Sequence, residues 1–134
     1  MIHAYDKSYL SNAQKNLAGM LDYLVNDLDN SLETAWKYFL TSEMAFRFEN
    51  GDCSVIAGKS GVEIAYAVLE EAGKKFPSVM SRYSYNRSQE YWTGWVLAYY
   101  QWDTGLAFSD IENAIPIQEI RMLYEHIMRW ISGN

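Results

Sequence analysis

Ser88 to Gly105 reads SQEYWTGWVLAYYQWDTG and holds three of the chain's five tryptophans and three tyrosines within eighteen residues. Ser88 offers the hydroxyl of an N-cap, Glu90 puts a negative charge in the first turn where free amides favour one, and Gly105 closes the run, so the stretch predicts a single helix. Trp92, Trp95, Tyr99 and Trp102 recur at steps of three, four and three, which draws an aromatic stripe along one face. Gly94 and Ala98 form a small-residue notch. Side chains of that size at that spacing are expected to fill a core, most of the stripe included, with the remaining helices packed around it. Tyr91 and Tyr100 point away from the stripe, so part of this helix is expected to stay exposed or to meet a partner.

Outward from this helix, the same periodicity recurs on both sides. The residues before it, Phe76 to Arg87, are irregular, and a loop of that length exceeds most connections in a compact domain, so it is either functional, a candidate working surface, or partly mobile. Upstream, Ile64, Ala65, Val68 and Leu69 mark a helix from about Gly61 to Ala72, opened by the capping-box pair Ser60 and Glu63 and stopped by Gly73 and Pro77. Leu32, Ala35, Trp36, Phe39 and Leu40 mark another, with Asn30 and Glu33 at capping spacing. Whether Thr41–Ser42 ends or only kinks it stays open. The chain begins with a helix from Ser8 or Ser11 to about Asp27, whose stripe includes Leu10, Ala13, Leu17, Met20, Leu21, Leu24 and Val25. Downstream, Ser109 and Glu112 predict a short helical turn to about Ala114. Pro116 then opens a last helix whose stripe is Ile117, Ile120, Leu123, Tyr124, Ile127 and Ile131, with Arg121–Glu125 and Glu125–Arg129 spaced for surface pairs. The expectation is all-α: residues 1–134 as one compact domain of five or six helices in an orthogonal or irregular bundle.

Composition narrows the function classes. With 49% hydrophobic and 16% aromatic residues, the 134-residue chain can bury a core without staples. A net charge of −6 with no cationic cluster argues against nucleic acid as a partner. The acids are spread among the bases rather than gathered on one block, the pattern of a solvated surface and not of a nucleic-acid mimic. Cys53 is the one cysteine, so no internal disulfide or all-cysteine metal site exists, and a reducing compartment follows. The N-terminus has no secretory pattern and no apolar run reaches membrane-spanning length, so a cytoplasmic protein without a membrane partner is expected.

No catalytic constellation emerges. Gly58-Lys59-Ser60 matches the end of a phosphate-binding loop, but Cys53 stands where its first glycine belongs, and the residues are explained by the turn into a capped helix. Cys53 has no histidine nearby in sequence to activate it and is read as a small packed residue. His3 and His126 lack companions at ligand spacing, and the adjacent Glu125 and His126 point in different directions on their helix. No metal site, cofactor or catalytic residue is assigned. The candidate partner- or ligand-binding residues are Tyr83, Tyr85, Arg87, Glu90, Tyr91, Trp95, Gln101 and Asp103: aromatic and arginine side chains of the kind that dominate binding hot spots, framed by polar groups.

The run RSQEYWTGWVLAYYQWDTGLAFSDI, with YDKSYLSNAQKNLAGMLDYLV and IAGKSG before it, resembles a family of small uncharacterised Firmicutes proteins over nearly the whole chain. The family pattern S-P-E-Y-W-x-G-W-x-L-A-Y-Y-Q-W is kept except at Gln89, where proline is common; both suit the first helical position. The resemblance implies a genomic setting beside toxin–antitoxin modules, including ones with an ADP-ribosyltransferase-like toxin, and carries over no catalytic residue. Two functions follow as expectations. One is a non-enzymatic protein-interaction module, antitoxin-like or accessory in a toxin–antitoxin or defence locus, with a protein partner such as a neighbouring toxin; a homo-oligomer stays open. The other is a protein or enzyme that holds a planar, nucleotide-like ligand between aromatic rings and Arg87. The first places Tyr91 and Trp95 on an open patch, the second in a closed pocket.

Overall fold

The computed structural model describes residues 2–75 and 87–133 and is all-helical, with 74% of the described residues in helix and no strand among them. Among the described residues there are eight α-helices where five or six were expected: α1 Leu10–Asp22, α2 Leu32–Leu40, α3 Glu43–Glu49, α4 Cys53–Ile56, α5 Gly61–Glu71, α6 Gln89–Thr104, α7 Phe108–Ala114 and α8 Ile117–Ile131. The excess comes from short elements. Ser42 is the N-cap of α3, its hydroxyl accepting from the Ala45 amide at 3.3 Å, so Thr41–Ser42 is a break and not a kink. Asp52 caps the one-turn α4, too short an element to show a helical period in the sequence.

Two expected caps belong to other residues. Ser31, not Asn30, caps α2, taking the Thr34 amide at 3.1 Å, while the Asn30 side chain donates to the Leu24 carbonyl. The reason lies upstream: α1 runs into a π-helical turn, Tyr23–Asp27, in which the Leu28 amide reaches the Tyr23 carbonyl at 3.0 Å. Asp29 then takes the left-handed conformation at φ 61°, which delays the next helix by a residue. At α7 the capping group is borrowed: the amide of Phe108 donates to Glu49 Oε1 at 2.9 Å, and Ser109 lies inside the helix instead of capping it.

The centre of the molecule is α1, not the aromatic helix. Leu10, Ala13, Leu17, Ala18, Met20 and Leu21 are all buried, and α1 packs against both α5 and α6. Both approaches are glycine contacts. A Cβ on Gly61 would lie 2.6 Å from the Met20 amide nitrogen, and one on Gly94 would lie 2.7 Å from the Ala18 Cα, so each helix meets α1 backbone to backbone. The aromatic core is elsewhere. Trp36 and Phe39 of α2, Phe48 of α3 and Phe108 of α7 are fully buried or nearly so and interlock edge-to-face or stacked, with ring centroids between 5.1 and 6.2 Å apart.

The glycine contact turns α6 around relative to its expected orientation. Its buried face is Thr93, Gly94, Leu97, Ala98 and Gln101, with Glu90 at the start, and the aromatic stripe falls on the other side. Trp92 and Trp95 are half-buried and Tyr99 is exposed; of the stripe only Trp102 is buried. Trp102 is covered by the N-terminal strap, which places His3 stacked on its indole at 3.8 Å, takes its ring N–H on the Tyr5 carbonyl and sends the Ala4 amide to its carbonyl.

Candidate functional site

Along the flank of α6, residues four apart stack on one another. The Arg87 guanidinium lies over the Tyr91 ring at 4.5 Å, Tyr91 is stacked near Trp95 with centroids 6.4 Å apart, and Tyr99 follows one turn on, 48% exposed. From Tyr91 onward the ladder follows from helix geometry, because residues i and i+4 sit one above the other on the same side, while Arg87 reaches the Tyr91 ring from just before the Ser88 cap. Its base is rigid. Ser88 takes the Tyr91 amide at 3.0 Å and donates to Asp22 Oδ1, tying the start of α6 to the end of α1. At the middle, Gln14 of α1 reaches the Trp95 carbonyl at 3.3 Å. Half-buried aromatic rings with an arginine at one end, held on an inflexible helix, form a surface suited to docking a partner with little ordering entropy.

Of the residues singled out in sequence, Arg87, Tyr91 and Trp95 are brought together; Tyr83 and Tyr85 lie outside the described residues. The remaining three serve other ends. Glu90 is 5% exposed and points inward, where Arg121 Nη1 approaches Oε2 at 3.5 Å and Asn26 donates to Oε1 at 3.2 Å. Arg121 also donates to Gln118 Oε1 at 2.6 Å, and Gln118 in turn contacts Glu33 of α2, so Glu90 anchors the start of α8 rather than framing a site. Arg121 is therefore not engaged with Glu125, its expected surface partner. Gln101 is wholly buried and clamps the end of α3 to the α6–α7 loop, its amide N–H₂ donating to the Glu49 and Leu106 carbonyls at 3.3 and 3.0 Å. A glutamine between aromatic residues signals a polar clamp as readily as a binding group, and the backbone it holds decides which. Asp103 sits at the far end of α6, 3.7 Å from His3.

Sequence reasoning missed Tyr99 by placing it in the core stripe; the Gly94–Ala98 notch was the signal that the opposite face goes inward. Cys53 is exposed instead of packed, its Sγ 3.9 Å from the Gly51 carbonyl. The Gly58–Ser60 turn behaves as the capping reading expected: Ser60 and Glu63 form a full capping box, and hydrogen bonds from Ser60 hold the Glu63 carboxyl below its usual range. Among the described residues no three histidine, cysteine or carboxylate groups converge as a metal site, and no helix is long and apolar enough to cross a membrane. A depression of about 230 Å³ lies between α2, α7 and α8, lined by Glu33, Trp36, Lys37, Leu40, Glu112 and Ile117. It falls below the roughly 300 Å³ at which small-molecule pockets begin and includes none of the ladder residues. Comparison with known protein families, with curated proteins and with solved structures gives no match.

Proposed function

We propose that this chain is a non-enzymatic protein-interaction module that docks a protein partner on the Arg87–Tyr91–Trp95–Tyr99 ladder of α6, as an antitoxin-like or accessory component of a bacterial toxin–antitoxin or defence locus. The observation that carries the reading is the ladder itself: an arginine and two aromatic side chains stacked in register and held partly open on a helix anchored to α1 at both Ser88 and Trp95. The net charge of −6 favours a basic partner, by steering its approach and by complementarity at the rim. The genomic setting rests on the family resemblance carried by residues 5–25, 56–61 and 87–111.

The test is affinity capture from the native host with wild-type protein and with Arg87→Ala, Tyr91→Ala and Trp95→Ala, each checked for native helicity by circular dichroism. One protein co-purifying in stoichiometric amount, and lost in the folded variants, is the expected result. A small molecule travelling with the wild type in place of a protein would move the function to the ligand-binding class.

A further inference from the structure

Asn50 and Gly51 are the one place in the chain where glycine follows asparagine. Glycine has no side chain to shield its backbone nitrogen, so that nitrogen can attack the Cγ of the preceding carboxamide. The new N–Cγ bond closes a five-membered succinimide, the Cγ–Nδ2 bond breaks, and ammonia leaves with the proton that the backbone nitrogen gave up. Water then opens the ring at either carbonyl and leaves aspartate or isoaspartate at position 50. Water is the one co-reactant, and Asn50 is exposed to it.

We propose that Asn50–Gly51 is a self-modification site that the fold holds shut, converting to aspartate and isoaspartate only when the turn between α3 and α4 opens. Both reacting groups are engaged in the closed turn. The Gly51 amide, whose nitrogen must lose its proton and attack, donates to the Phe48 carbonyl at 3.0 Å. The Asn50 carboxamide, which must swing its Cγ toward that nitrogen, donates to the Phe46 carbonyl at 2.7 Å. Each bond ends on the last turn of α3, so ring closure requires that turn to unwind.

The turn is latched from three sides. Beyond it, the Asp52 amide returns to the Arg47 carbonyl at 2.9 Å, and the Arg47 Nε–H holds the Asp52 carboxylate at 2.8 Å. Before it, Gln101 of α6 donates to the Glu49 carbonyl. Over it lies the N-terminal strap: a Cβ on Gly51 would stand 3.0 Å from the Tyr5 Cβ, and Gly51 takes a φ of 76°, which glycine adopts without strain. The strap has few anchors of its own, so it is the latch that yields first and the opening is local rather than global. Conversion is also one-way. Isoaspartate carries the main chain through its side-chain carbon and adds an atom to the backbone, so the Gly51 and Asp52 amides can no longer both reach their carbonyls on α3.

Peptide mapping by mass spectrometry at mildly alkaline pH tests it, following the small mass gain when NH₂ is exchanged for OH and labelling isoaspartate with its methyltransferase. In concentrated urea Asn50 is expected to convert faster than every other asparagine, and Gly51→Ala to slow it several-fold by shielding the nitrogen. In native buffer the wild type is expected to convert at least about tenfold more slowly than in urea, the effect of a turn open a tenth of the time or less. Tyr5→Ala, checked for native helicity by circular dichroism, should raise the native rate several-fold and leave the urea rate unchanged. Leu17→Ala weakens the core without touching the latch and should leave the native rate where it is. Equal rates in native buffer and in urea overturn the proposal, as does an Asn50 that stays unconverted in urea. Acceleration by Leu17→Ala as large as that by Tyr5→Ala overturns it too, because conversion would then wait on global unfolding.

Discussion

Helices α1 and α8 carry nearly the same sequence pattern, apolar residues at steps of three and four, and end in opposite environments. In α1 the stripe from Leu10 to Leu21 is buried throughout, whereas in α8 burial stops at Ile120 and the stripe runs on into solvent. The difference is in what faces them. Glycines at 61 and 94 let α5 and α6 close on α1 from two sides, while α8 packs chiefly on α6 and α2, and only at its start. An amphipathic pattern records that a helix has an apolar face; whether the covering surface belongs to the same chain is decided by its neighbours.

The contrast can be broken most severely at the centre. Leu17→Ala should cost about 3 kcal/mol in chemical denaturation, the usual loss for a leucine truncated in a close-packed site, and Ile127→Ala in dilute protein should cost no more than about 0.5 kcal/mol. Equal losses would mean that α8 is covered within the chain. Next comes the inverted orientation of α6. Gly94→Ala adds one methyl where 2.7 Å is open and should destabilise by about 2 kcal/mol through overpacking, more than Tyr99→Ala removes from the exposed side. If truncating Tyr99 proves the costlier change, the aromatic stripe faces inward after all.

A smaller effect sharpens the boundary between the held and the bare parts of α8. Arg121→Met leaves the inward Glu90 carboxylate with only Asn26, and because Arg121 is itself 28% exposed the loss should be about 1 kcal/mol. Adding Glu90→Gln to it should recover part of that loss. The mildest effect is a pH dependence at the cap of α4. Ser54 and then Arg47 hydrogen-bond the Asp52 carboxylate and hold its pKa at about 2 against an ordinary 3.8. A depressed carboxyl contributes stability that is present above 3.8 and lost as pH falls toward 2, so acid titration of wild type and Asp52→Asn should diverge above that window and converge below it.

Much of the fold was legible from residues that speak locally. Ser60 with Glu63, Ser88 and Gly105 mark helix ends through hydrogen bonds and backbone angles that involve only their neighbours, and they stand where expected. The orientation of α6 was not legible in the same way, because the gain from backbone contact at Gly94 competes with the gain from burying tryptophan, and the winner depends on α1. The split of α2 from α3 hinged on one serine that could cap or simply sit in a longer helix. In the candidate site, Arg87, Tyr91 and Trp95 stood out by residue type, but their stacking did not, because the sequence pattern put Trp95 in the core stripe and Tyr91 on another side of the helix. Gln101 and Glu90 were misjudged because a buried polar group and a binding group are the same residue types, told apart only by the partners that other helices bring. The exposed half of α8 gave no signal of its own: an exposed and a buried apolar residue fit one pattern.

Native-state hydrogen exchange, followed residue by residue at several protein concentrations, is the most direct test of the contrast between α1 and α8. In dilute protein the amides of Leu17 to Leu24 should exchange only through global unfolding, and those from Met122 to Ile131 should exchange orders of magnitude faster. Protection of Met122 to Ile131 equal to that of α1 at every dilution would contradict it, because the face would then be buried within a single chain.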